Sequence, residues 1–124
     1  MGFTFERLHH VQLLIPAGGE DVARGYYSGV LGMTELAKPP VLAARGGCWF
    51  AGGGWEVHLG AVVDFEPARK AHPGVLINDL DDLVAVLEAA GRPFEWDPHF
   101  PGHRRCYAFD DHGNRLEFLE PVKD

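Results

Sequence analysis

The sequence predicts an α+β fold: two tandem βαβββ modules whose strands form a curved mixed sheet around a metal or ligand cavity, with the helices on the outside. Three observations carry this prediction. The segments His10-Val-Gln-Leu-Leu-Ile15 and His72-Pro-Gly-Val-Leu-Ile77 open two copies of one pattern, 62 residues apart. A later strand recurs as Trp55-Glu-Val-His58-Leu59 and Arg115-Leu-Glu117-Phe118, with His58 and Glu117 59 residues apart. The glycines that close the helices, Gly32 and Gly91, keep that same spacing of 59.

Each element follows from its local pattern. Residues 9–15 are rich in Val, Leu and Ile and are stopped by Pro16 and Gly18-Gly19, which marks a strand. A helix is expected from Glu20 to Leu31, with acids at its start, Val22, Tyr26 and Val30 on its apolar face, and Gly32 at its end. Runs at Val41–Ala44, Cys48–Ala51 and Trp55–Leu59 read as three strands joined by Gly-rich turns. In the second copy, Val75–Ile77 is the strand and Asn78-Asp79 the N-cap region. A helix follows over Leu80–Ala90, where Leu80, Leu83, Val84 and Leu87 fall at helical spacing. Strands near Phe94–Trp96, Arg105–Phe109 and Arg115–Leu119 complete it, the last two joined by a hairpin turn at Asp110–Asn114.

The chain of 124 residues is expected to be a single domain over 1–124, with module 1 at about 5–63, module 2 at about 70–121, and Asp64–Lys70 as the linker. A hydrophobic share of 46% with 23% charged residues describes a globular chain. The net charge of −7 argues against nucleic acid or an anionic membrane surface as partner, because both require clustered Lys and Arg. No apolar stretch near the N-terminus is long enough for a signal peptide or a membrane span, so a cytoplasmic setting is expected. Cys48 and Cys106 lack the spacing of a zinc or redox pair and read as buried apolar residues.

Strand parity concentrates the chemistry. Side chains alternate between the faces of a strand, so Val11, Leu13 and Ile15 oppose His10, Gln12 and Leu14. By the same rule Val57 and Leu59 oppose Glu56 and His58, Val75 and Ile77 oppose His72, and Leu116 and Phe118 oppose Arg115 and Glu117. If the apolar sets face the helices, His10, His58, His72 and Glu117 line the other surface. Three imidazoles and a carboxylate suit a divalent ion such as Zn, Ni, Co, Mn or Fe(II). Glu56 shares the face of His58 and is either an alternative ligand or its hydrogen-bonding partner. Centring the last turn on His112 pairs Tyr107 with Glu117 and Phe109 with Arg115. This puts Arg105 and Tyr107 on the ligand face as candidate substrate-binding residues and leaves His112 exposed. The loop from His99 to His103 reads as ordinary surface, with a cover over the cavity mouth as the alternative.

The segments HHVQLLIP, YYSGVLGM, AHPGVLINDLDDLVAVLEAAG and YAFDDHGNRLEFLEP together resemble the vicinal oxygen chelate superfamily, which includes glyoxalase I, extradiol dioxygenases, fosfomycin-resistance enzymes and bleomycin-binding proteins. The resemblance implies metal ligands on the first and last strands of each module, which here are His10, His58, His72 and Glu117. It implies a divalent metal cofactor that chelates neighbouring oxygens of a small metabolite in an isomerase, lyase or dioxygenase reaction. Glu117 would then be the catalytic base. A homodimer is implied as well. The alternative within the same resemblance is a metal-free sequestering protein of the bleomycin-resistance type.

Overall fold

Period-two alternation and parallel pairing set the architecture of both modules. In the computed structural model, which describes residues 2–122, module 1 contains β1 (His10–Pro16), α1 (Glu20–Arg24), β2 (Thr34–Leu36), α2 (Pro40–Ala43), β3 (Cys48–Gly52) and β4 (Trp55–Val62). Module 2 contains β5 (Gly74–Leu76), α3 (Leu80–Ala89), β6 (Phe94–Asp97), β7 (His103–Phe109) and β8 (Arg115–Pro121). The strands form two four-stranded mixed sheets, ordered β1-β4-β3-β2 and β5-β8-β7-β6. The first strand of each module pairs with the last in parallel, and the other pairings are antiparallel. The two modules therefore repeat one topology, as the 59-residue spacing predicts.

Two elements of module 1 differ from expectation. Residues 20–31 do not form one α-helix: after Arg24 the chain widens into a π-helical turn over Gly25–Val30, with the Leu31 amide donating to the Tyr26 carbonyl at 2.9 Å. The wider turn brings two consecutive side chains, Tyr26 and Tyr27, into the core, both with no exposed surface. The run Val41–Ala44, expected as a strand, lies in the short helix α2, and the strand paired to β3 is Thr34–Leu36 instead. Pro40 explains the change, since its fixed φ and missing N–H suit the first turn of a helix.

A single cluster of buried side chains spans both modules, drawing on Ile15, Tyr27, Phe50 and Leu59 from the first and on Leu80, Leu87, Leu116 and Phe118 from the second. Three polar contacts cross between the halves. The Tyr27 hydroxyl donates to the buried Asp110 carboxylate at 2.7 Å, Asn114 Nδ2 donates to the Leu14 carbonyl at 2.8 Å, and His112 Nε2 donates to the Gly19 carbonyl at 2.9 Å. His112 is thus a tether between modules and not an exposed turn residue, with its ring edge-on to Phe65. The N-cap of α3 is also completed at a distance: Asp79 adopts φ 55° and makes no side-chain cap, while the Leu80 amide donates to Glu120.

The turn that leads into β3 is held by Glu20, whose carboxylate accepts from the Gly47 amide at 2.7 Å. That bond is the main reason its carboxyl sits below the usual range. A depressed carboxyl pKa contributes stability that is present above the unfolded value and is lost as pH falls through the folded one. A Glu20→Gln variant is therefore expected to be less stable than wild type at neutral pH, with the gap closing on acidification. Urea unfolding at pH 7 and at pH 3 to 4 checks this; a gap that stays constant with pH would exclude the charge as its cause.

Candidate metal and ligand site

The parity assigned to β1 holds: Val11, Leu13 and Ile15 turn toward the core while His10, Gln12 and Leu14 are exposed on the other face. Parallel pairing sets Gln12 beside His58 and His10 beside Glu56, and antiparallel pairing sets Trp49 opposite His58. Three rings stack as a result. The His58 imidazole lies between His10, at a centroid distance of 4.0 Å, and Trp49, at 4.1 Å, with interplanar angles of 12° and 10°. His58 is buried, and its Nε2 lies 2.9 Å from Glu56 Oε1, so Glu56 serves as the partner of His58. That hydrogen bond holds the Glu56 carboxyl below the ordinary range. Desolvation against the sheet, together with the neighbouring imidazoles of His58 and His9, keeps the His10 pKa below the usual imidazole value. These side chains line an open cavity of about 630 Å³ bounded by Leu14, Leu42 and Ala61 and edged by Lys38 and Arg45.

The second sheet carries the other pair. Strand β8 sets Glu117 between Gly74 on β5 and Tyr107 on β7, and His72, just ahead of β5, reaches it with Nε2 2.8 Å from Glu117 Oε1. The other ring nitrogen of His72 is fixed by a backbone carbonyl: Nδ1 lies 2.7 Å from the Lys70 oxygen. A carbonyl only accepts, so Nδ1 carries a proton and Nε2 is aimed at a carboxylate oxygen. A nitrogen and a carboxylate oxygen that close are joined by a cation, either a proton on Nε2 or a metal ion. Arg105 completes the surroundings. Its Nη1 donates to Glu117 at 3.3 Å and its Nε to Asp97 at 2.8 Å, and its guanidinium lies between the rings of Phe100 and Tyr107, about 5.1 Å from each. Tyr107 also stands edge-on to His72 at 5.4 Å.

The six residues singled out from the sequence thus fall into two groups, His10 with His58 on one sheet, and His72, Glu117, Arg105 and Tyr107 on the other. Among the described residues, no group of three or more His, Cys, Asp or Glu side chains is placed to hold one ion. The chemistry of the donors fits a divalent metal, while one chain presents them as two separate pairs. Sequence reasoning missed Trp49 and Asp97. Both had a signal, since each lies directly opposite a singled-out residue on the neighbouring strand, Trp49 facing His58 and Asp97 facing Arg105. Phe100 shows that the loop before β7, expected as plain surface, packs over Arg105 next to Glu117.

A family model described as the Glyoxalase/Bleomycin resistance protein/Dioxygenase superfamily matches residues 7–118. The chain is similar throughout to the crystal structure of a glyoxalase family protein from Bacillus anthracis, at 38% identity and a TM-score of 0.94, covering 98% of this chain and 100% of that one. TnmS3, an antibiotic binding protein from Streptomyces sp. CB03234, shares the fold at 19% identity and a TM-score of 0.77, covering 98% and 100%. The fosfomycin resistance protein FosX from Listeria monocytogenes does so at 14% identity and a TM-score of 0.75, covering 96% of each chain. No curated protein matches the sequence. No helix among the described residues is long and apolar enough to cross a membrane.

Proposed function

Because the chain belongs to the glyoxalase/bleomycin resistance protein/dioxygenase superfamily, we propose that it is a metal-dependent enzyme acting on a small metabolite with neighbouring oxygens, as an isomerase, lyase or dioxygenase. The observation that carries this reading is the His72–Glu117 pair, whose Nε2 and Oε1 stand 2.8 Å apart with the imidazole oriented by the Lys70 carbonyl. His10, His72 and Glu117 would hold the metal, with His58 as a fourth donor. A bound divalent ion would supply Lewis acidity toward two adjacent substrate oxygens.

The protein's own residues have separable parts in this chemistry. Glu117 is buried, and we assign it the role of taking the proton beside a substrate carbonyl. Arg105, anchored by Asp97, holds the Glu117 carboxylate in place with a hydrogen bond. Tyr107 lines the position beside His72 where substrate would enter.

Completion of the site falls to a second copy, so that each centre takes His10 from one protomer and His72 and Glu117 from the other. The split of the donors between two sheets supports this. So does the apolar segment ahead of β1, where Phe3 and Phe5 are 81% and 92% exposed and pack edge-on to each other, with Leu8 at 68%. Residues of this kind at such exposure favour burial against a partner.

Elemental mass spectrometry on tag-free protein purified without chelator tests the metal. About one equivalent of a transition metal per chain, lost in His72→Ala, is the expected result. Mixing His10→Ala with Glu117→Gln under subunit exchange tests the sharing of sites. Metal binding absent from either variant alone is expected to return in the mixture, because one site of each mixed dimer is intact. No recovery in dimers shown to have exchanged would mean that the two half-sites do not combine. A metal-free binding function is the second reading, favoured by the flat Trp49–His58–His10 layer in an open cavity, and absence of metal before and after reconstitution would establish it.

A further inference from the structure

We propose that the ligand of the module 1 cavity is an organic carboxylate, its anionic head on Lys38 and Arg45 and its apolar body along Leu42, Leu14 and Trp49. The proposal rests on the preceding reading only in taking the reacting oxygens to lie toward His10. Charge is the first argument. The chain carries −7, yet this cavity is edged by two full cations and a single carboxylate, Glu56, already engaged by His58. Among the described residues neither Lys38 nor Arg45 has a carboxylate within ion-pair reach; Arg7, Arg69, Lys70 and Arg115 share that lack, but only Lys38 and Arg45 line this cavity. In an acidic protein, two neighbouring cations without counter-charge at the edge of a concave surface form a site for an anion from outside.

The placement of Lys38 is the second argument. Its ammonium donates to the Gly46 carbonyl, which uses one of three N–H bonds and fixes the group 5.9 Å above the Trp49 ring, with two donors left for a ligand. Arg45 stands in the turn that follows α2, one residue from Gly46, so both cations are positioned by the same short stretch of chain. Below them the wall is apolar, with Leu14 40% exposed on β1 and Leu42 on α2. A carboxylate on a hydrophobic body matches both surfaces: the head meets charge-assisted donors, and the body covers apolar area that water now occupies.

The test uses chelator-treated protein, so the outcome is independent of any metal and failure of the metal reading leaves it intact. The probe is 4-phenylbutyrate, compared with its neutral amide, titrated by calorimetry and by ¹H–¹⁵N NMR. The acid is expected to bind about tenfold more tightly than the amide and to shift the backbone amides of Lys38, Arg45 and Trp49. In the Lys38→Met, Arg45→Met double variant, with fold checked by the same spectrum, this preference is expected to vanish while the amide binds as before. Equal binding of acid and amide, a preference that survives in the double variant, or shifts confined to residues outside the cavity would each overturn the proposal.

Discussion

On the proposed metal-dependent reading, a Glu117→Gln variant is expected to lose at least about a hundredfold in affinity for a divalent metal and to lower turnover by about 10² to 10⁴. The amide keeps the shape of the carboxylate and can still accept from Arg105, so the change removes charge and basicity with little loss of packing. Two things disappear together. A cation held by residues 72 and 117 would lose its anionic ligand, and the proton beside a substrate carbonyl would lose its acceptor. Arg105→Gln separates these effects, because it leaves both metal donors in place while removing the group that holds the carboxylate. Metal affinity is therefore expected to change little in Arg105→Gln and the turnover rate to fall. Competition with a chromophoric chelator measures the first quantity and steady-state kinetics the second. Wild-type affinity and rate in Glu117→Gln would remove this residue from the site.

Gly47→Ala is expected to be the most damaging single-methyl change in module 1, at about 3 kcal/mol or more. The residue sits at φ +84°, where an L side chain is strained, and a Cβ built there would stand 2.1 Å from the Leu59 carbonyl oxygen. Backbone cannot step aside as a side chain can, because Leu59 is paired in β4 to both of its neighbours. Gly53→Ala is the matched control: nothing lies within 4 Å of its would-be Cβ, and its effect is expected to stay within about 0.5 kcal/mol. Thermal or urea unfolding of the pair decides the matter. Equal stability of the two variants would mean that the turn before β3 yields more readily than its geometry implies.

Much of this arrangement was legible in the sequence because strand parity and turn chemistry act locally. Placing His112 at the centre of the final turn gave the register Tyr107–Glu117 and Phe109–Arg115 observed between β7 and β8. The same rule put His10 on the exposed face of β1, and the repeat spacing anticipated that two sheets would share one strand order. What was not legible depends on distant partners. Val41–Ala44 is four apolar residues, too short for periodicity to separate strand from helix, and the two prolines before it decided the outcome. The π-helical turn at Gly25–Val30 exists because two adjacent tyrosines both found space in the core, which no local pattern states. Whether four donors on two sheets meet is a question of how whole layers are placed, and parity within a strand says nothing about it.

The bond from the Tyr27 hydroxyl to Asp110 spans 83 positions along the chain, and the core cluster joins both halves. Module 1 therefore cannot satisfy the buried Tyr27 hydroxyl with Asp110, or complete the shared core, before the end of module 2 has been synthesised. While the ribosome is still making the second half, the first remains a chain with unpaired polar groups and no completed interior. The contacts that join the halves form only once the final hairpin is in place, and closing contacts of such long range is intrinsically slower than forming local ones. The duplicated pattern shares one core, so a half cut from the other is expected to be cleaved by protease faster than the whole chain.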